Sequence, residues 1–322
     1  MRPALLCQYI NQKIIRLKIN ITYLLTFLCL TNLLFSQSND IPEKWKNSGN
    51  ALFLVNQSSF SNWTSGGQSS ISGTLKVDYN FNYSDNGWDW DTKVISNFGL
   101  NKISGSDFLK KTDDRIEINS VLGKKFNNDI IGRWSYSSFF NFQTQFAKGY
   151  MFGRDANGNP NRTEKSRFFS PATVQLGVGM YWKKSKDLWV NVAPMTGKLI
   201  LVNRRFTENL NENQTYFGVK KGGNSRFELG ASIRSYYKSE IFENVTMENR
   251  LSLYSDYLDR PQNIDFDCTF NFIMKVNQYI STNLIFQFVY DDNEIKRVQV
   301  REVLGLGLNI DLSNLDLSNI RI

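Results

Sequence analysis

The sequence predicts an all-β fold: an antiparallel transmembrane β-barrel of about twelve strands. Three observations point there. Long segments alternate apolar and polar residues, the connections between them are short at one end and long at the other, and Trp and Tyr gather beside the short ones. Composition is compatible with this. A mean hydropathy of -0.37 is too polar for a bundle of membrane helices, whereas a membrane barrel has strands that are half polar.

The alternation is clearest in residues 263–276, NIDFDCTFNFIMKV. Phe266, Cys268, Phe270, Phe272 and Met274 share one face, and Asp265, Asp267, Asn271 and Lys275 share the other. A strand with two such faces separates two media. Phe227, Leu229 and Ile233 alternate in the same way with Arg226, Glu228 and Arg234, as do Ile71, Leu75, Val77, Tyr79 and Phe81 with Ser72, Thr74, Lys76, Asp78 and Asn80. Several segments reach a dozen residues, longer than the roughly 5 to 6 of soluble strands and enough for the about 9 to 11 that a tilted membrane strand needs.

Taken in chain order, Arg2, Lys13, Arg16 and Lys18 precede the apolar run Ile19 to Phe35, with Ser36-Gln37 as the cleavage point of a signal peptide spanning 1–36. The rival reading is an uncleaved helical anchor. Removing 1–36 takes away four bases and no acids, lowering the formal charge from +8 to +4, which is no nucleic-acid footprint. Cys7 and Cys29 leave with it, so Cys268 remains alone and no internal disulfide can form. Residues 37–49 form a short segment with no room for a folded plug. Strands are expected near 50–60, 68–83, 87–103, 113–126, 129–150, 171–184, 188–202, 225–238, 245–258, 263–278, 281–291 and 298–312, so that the barrel covers 50–312 and a tail, 313–322, follows.

Numbered from a periplasmic N-terminus, the connections 84–87, 126–129, 184–187, 240–244 and 277–281 are all short periplasmic turns. The long connections, 105–112, 152–170 and 203–224, all fall on the extracellular side. Tyr83, Trp88, Trp90, Trp134, Trp182, Trp189, Tyr237 and Tyr279 flank the short turns as an interfacial girdle, and Trp63, Phe146, Tyr150, Tyr257 and Tyr290 lie near the opposite ends. The last strand carries Gly307, Ile310 and Leu312 in the spacing of an outer-membrane assembly signal, although no terminal aromatic follows.

The stretches NQSSFSNWTSGGQSSISG (56–73), KKTDDRIEINSVLGKK (110–125), NFQTQFAKGY (141–150), FFSPATVQLGVGMYWK (168–183), VNVAPMTGK around Pro194, and EVLGLGLNIDL resemble an uncharacterised Bacteroidota family, domain of unknown function 3078. The resemblance implies an outer-membrane barrel-like protein of unknown activity. It supplies a location and no chemistry.

The chain contains no histidine, which removes Ser-His and Cys-His nucleophile pairs and imidazole metal sites. The expectation is a protein without enzymatic activity or cofactor. DANGN (155–159) lacks the Gly and distant Glu of a calcium loop and reads as an outer turn, YDDNE (290–294) as an acidic turn, and GLG (305–307) as small lumen-facing residues. The informative set is Arg226, Glu228, Arg234, Glu248, Arg250, Asp265, Asp267 and Lys275, all on polar faces. They either pair and fill the interior or line a narrow hydrophilic passage. With a turn centred on Ile241, Arg234 would face Glu248. In the first outer loop, Asn62, Trp63, Gly66 and Gly67 form an interfacial anchor or a binding surface.

The sequence thus predicts a cell outer-membrane barrel that meets outer-membrane lipid, the assembly machinery during biogenesis, and a small solute or envelope protein, and no nucleic acid. Two functions lead, a narrow channel or porin for small solutes, or a non-conducting barrel serving envelope structure or assembly through its outer loops; an enzyme that works without histidine comes last.

Overall fold

A computed structural model describes residues 44–61, 68–126 and 133–312. The signal segment 1–36, the start of 37–49, the loop residues Asn62, Trp63, Gly66 and Gly67, the turn after Phe126 and the tail 313–322 lie outside the described residues.

The strands in chain order are β1 (Trp45–Ser58), β2 (Ser70–Asp85), β3 (Trp88–Ile103), β4 (Lys110–Lys125), β5 (Trp134–Thr144), β6 (Gly149–Arg154), β7 (Pro160–Ser166), β8 (Ala172–Ser185), β9 (Leu188–Leu201), β10 (Thr215–Tyr216), β11 (Val219–Lys220), β12 (Ser225–Phe242), β13 (Val245–Asp256), β14 (Ile264–Lys275), β15 (Ile280–Asp291) and β16 (Ile295–Asp311). Twelve of them close a barrel in the order β1-β2-β3-β4-β5-β8-β9-β12-β13-β14-β15-β16, with β16 returning to β1. Every barrel pairing is antiparallel between successive barrel strands, so no backbone has to cross the sheet. The pairs β6-β7 and β10-β11 are separate hairpins inside the two longest connections.

Alternation decides which residues face out. In β14, Phe266, Phe270 and Phe272 stand opposite Tyr290, Phe286 and Leu284 of β15, while Asp267, Thr269 and Asn271 stand opposite Val289, Gln287 and Ile285. The first set looks out and the second in, as the sequence predicts. Outward positions such as Leu75, Phe140, Leu176, Phe227, Leu304 and Leu306 are exposed apolar residues. A belt of this kind has lipid as its natural neighbour.

Four of the five predicted short turns are described, and all are tight. Asn86 and Gly87 take φ of 48° and 75°, the left-handed pair that a two-residue hairpin requires and that Asn-Gly supplies with little strain. Trp45 packs on Tyr83 and Trp90 with ring centroids 5.1 and 5.7 Å apart, so β1 starts five residues before the expected strand and adds a tryptophan to the girdle.

Three expectations need correction. The fifth strand ends at Thr144 and not at Tyr150, because Asp114 accepts hydrogen bonds from the Phe146 and Ala147 amides (2.6 and 2.9 Å) and turns the chain out of the sheet. Trp189 belongs to the lumen rather than the girdle: it stands opposite Tyr236 and Lys183, both inward, and its ring lies 6.2 Å from that of Tyr236. Arg234 faces Ser252, and Glu248 faces Lys238. The β12-β13 turn lies at Glu243-Asn244 and the register shifts between Glu240 and Phe242, moving the pairing away from a centre at Ile241.

Candidate functional site: the charged lumen

Seven of the eight predicted lumen residues lie on inward faces among partners, and they sort into layers. Nearest the long connections, Arg226 lies 2.9 Å from Glu228, 3.4 Å from Asp256 and 3.3 Å from Asp259. Lys198 on β9 lies 3.2 Å from Glu228, 3.3 Å from Asp265 and 3.9 Å from Asp291. The Asp265, Asp291 and Asp292 carboxylates fall within 4.8 Å of one another, and their charge is met by Lys198 and by Arg260, 2.9 Å from Asp292.

At mid-height the pairs cross the barrel. Arg115 on β4 lies 2.5 Å from Glu117 and 3.5 Å from Asp267 on β14, six strands away around a ring of twelve. Arg301 on β16 reaches Asp113 on β4 at 2.6 Å, and Arg250 on β13 reaches Asp78 on β2 at 3.2 Å. Arg234 on β12 donates to Asn119 on β4 at 3.0 Å and to Gln175 on β8, with its guanidinium 4.7 Å from the Phe139 ring.

These contacts set a width. A round barrel of twelve strands at the usual spacing and tilt measures about 24 Å between opposite backbones. An extended Arg meeting an Asp at salt-bridge distance spans at most about 14 Å between Cα atoms. Arg115 and Asp267 can therefore meet only because the β2–β4 wall is drawn toward the β12–β16 wall. The space between is filled by polar side chains together with Phe139, Ile95 and an apolar cluster of Leu52, Leu54 and Ile285, flanked by Val303. Gly305 and Gly307 fit this filling: a Cβ at Gly307 would stand 2.7 Å from Leu52 Cδ1.

Toward the short turns, Asp91 takes Lys183, Tyr181 Oη at 3.2 Å and Asn82 at 2.6 Å. Glu248 pairs with Lys238 at 2.8 Å. Lys275 is exposed at the end of β14 and takes no part in the network.

Sequence reasoning placed Asp78 on a polar face without singling it out, and missed Lys198, Arg115, Glu117, Asp113 and Arg301. Period-two alternation was an available signal for Arg115 and Glu117, which flank the outward Ile116, but nothing in the sequence tells which walls meet.

The outer connections are tied to one another on one side of the barrel. Arg162 lies 4.4 Å from the Tyr150 ring and 5.3 Å from that of Phe108, Tyr216 Oη donates to the Lys165 carbonyl at 2.6 Å, and the Ser170 hydroxyl accepts from the Asn203 amide at 2.9 Å. Residues 155–159 form the tip of the β6-β7 hairpin, with Asp155 accepting from the Asn157 and Asn159 amides. Glu164 accepts from Arg167 at 2.6 Å, with Lys148 at 3.4 Å and Arg205 at 3.8 Å. The Arg167 hydrogen bond, then the field of Arg167, Lys148 and Arg205, holds the Glu164 carboxyl below its ordinary range.

A lowered carboxyl contributes order above the ordinary Glu range and loses it as pH falls through the lowered value. Glu164→Gln removes that contribution at neutral pH. Trypsin should then cut at Lys165 or Arg167 of the folded variant about three- to ten-fold faster than in the wild-type protein, by local opening. Equal rates would show that the three bases do not hold this segment.

A family model described as a protein of unknown function (DUF3078) matches residues 55–150. The match takes in the motifs at 56–73, 110–125 and 141–150, and stops before those at 168–183 and in the last strand. No curated protein matches the sequence. Among solved structures, the β domain of the Bordetella autotransporter BrkA is 9% identical, with a TM-score of 0.34 over 82% of this chain and 98% of its own. The translocator domain of the autotransporter NalP from Neisseria meningitidis is 8% identical (TM-score 0.37; 91% and 96%), and an outer membrane channel from Pseudomonas putida F1 is 11% identical (TM-score 0.37; 85% and 98%). At these scores the barrel rests on its own strand order and register.

Proposed function

We propose that this chain is an outer-membrane β-barrel, exported by a cleaved signal peptide, whose lumen is shut to free diffusion by side chains bridging opposite walls. It meets other molecules at its outer loops and outer wall, in an envelope-structural or assembly role, rather than through an open pore. The observation that carries this reading is the Arg115–Asp267 contact at 3.5 Å between strands six apart in a ring of twelve. A second reading, a narrow channel for small charged solutes, is favoured by the nature of the obstruction. Ion-paired side chains can part by rotamer changes without moving the wall.

The test is the purified protein in a planar bilayer, alongside fractionation of the producing cell. The expected result is recovery with the outer membrane and a bilayer without ion-conducting steps. Steady porin-like steps in the wild-type protein would overturn the closed-lumen reading and leave the channel.

A further inference from the structure

The barrel is not equally knitted around its circumference. β1 and β16 are paired at six positions, Asn50–Val55 against Leu306–Asp311, whereas every other barrel seam is paired at ten to sixteen. Above Leu306 the strands part, although β16 stays paired with β15 up to Gln299 and beyond.

The free edge can be identified atom by atom. The Leu312 amide donates to the Gly49 carbonyl of β1, and the Asn309 amide to the Tyr279 carbonyl on the β15 side. Even-numbered residues of β16 therefore turn their backbone groups toward β1. Val300, Glu302 and Leu304 present amides and carbonyls to a seam with no partner strand among the described residues, apart from Asn56 Nδ2, which reaches the Leu304 carbonyl at 3.0 Å. A free edge is a template for another strand, and inside a bilayer its polar groups have no water to turn to.

Glu302 supplies an independent observation. It lies on the outward face between Val300 and Leu304, opposite Phe286 of β15, and is exposed. It forms no hydrogen bond or ion pair among the described residues. Other charged outward positions, such as Lys102, Lys124 and Lys296, fall at or near strand ends. A carboxylate in mid-strand on a lipid face is unfavourable unless a base meets it.

The geometry points to a strand-addition site at the β1-β16 seam: an extended segment of a separate polypeptide pairs with the Val300–Leu304 edge and sets a Lys or Arg beside Glu302. A second copy of this chain does not fit. With both copies inserted the same way, the two β16 strands would run parallel, and the outward residues of that edge, Val300, Glu302 and Leu304, offer no base to meet Glu302. The residues 59–67 of this chain, SFSNWTSGG, contain no base. The inference rests on the membrane reading above, whose failure would be seen separately in fractionation.

The test uses the full chain in detergent micelles and a fluorescent peptide about nine residues long, alternating Val and Thr with a central Lys, read by anisotropy. The wild-type protein should bind it, and Glu302→Gln should weaken binding about ten-fold, the size of a lost charge-assisted hydrogen bond. Glu302→Lys should instead select the same peptide with a central Glu. Gln57 would face Leu304 if the seam zipped up by continuation of its register, so a disulfide between Gln57→Cys and Leu304→Cys, made with Cys268→Ser, should abolish binding until reduced. No binding to the wild-type protein, or equal binding to the wild-type, Glu302→Gln and Glu302→Lys proteins, would overturn the site.

Discussion

Replacing Arg115 and Asp267 together by alanine should turn a silent bilayer into one with discrete ion-conducting steps. The pair spans the barrel between β4 and β14 at 3.5 Å, so removing both side chains deletes the contact that joins opposite walls. Removing both also avoids an orphan at that contact. Arg115→Ala alone would leave Asp267 without its base across the lumen, and an unpaired charge there draws in other partners. Arg301–Asp113 and Arg250–Asp78 are further bridges, so the double variant should open partly, and adding Arg301→Ala should raise the current further, with an overall increase of about ten-fold or more over the wild-type leak. The control is Lys238→Ala with Glu248→Ala. That pair, at 2.8 Å, joins neighbouring strands along one wall, so its removal should leave the bilayer silent. If neither double variant conducts, the cross-lumen pairs are not the barrier and the filling by Phe139, Leu52, Leu54 and Ile285 is; equal conduction by both would show that bridging opposite walls is not what closes the lumen.

The contrast between those two pairs also marks what the sequence can reveal. A strand's faces are encoded locally by a period of two, which is why all twelve barrel strands and the lumen side of Asp265, Asp267, Arg226 and Glu228 are legible from side-chain type alone. Strand ends are less so. Gln145 to Tyr150 continue the β5 composition, and the turn there depends on Asp114, a residue some thirty positions away. Ile241 and Phe242 look like strand continuation, yet they precede the turn and take up the shift that brings Lys238, not Arg234, to Glu248. Least legible is the meeting of walls. Arg115 and Asp267 are 152 positions apart, and their contact depends on the flattening of the whole ring, which is set by the summed packing of the interior. The seam lies between these cases. Strand count implies that β1 must meet β16, but the early parting above Val55 is a tertiary property with no local signature.

Lys198→Met should be the most destabilising single change in the lumen. The lysine is 6% exposed and stands among Glu228, fully buried, Asp265 and Asp291. Methionine keeps most of the volume and removes the charge, leaving Arg226 as the base beside Glu228 and, among the described residues, no base within salt-bridge distance of Asp265 or Asp291. Breaking a buried pair from one side costs about 3–5 kcal/mol, and that loss should appear in guanidinium unfolding followed by tryptophan fluorescence in micelles. Glu228→Gln should cost less, about 1–3 kcal/mol, since Lys198 keeps two acids, and the two changes together should be less than additive because the residues share one network. The size of the loss also bears on the lumen. Water filling a wide passage would solvate the stranded carboxylates and reduce the cost of Lys198→Met to that of an exposed pair, about 0–1 kcal/mol. A large loss together with a silent bilayer is the signature of a filled barrel, whereas a small loss would place these charges along a wet passage.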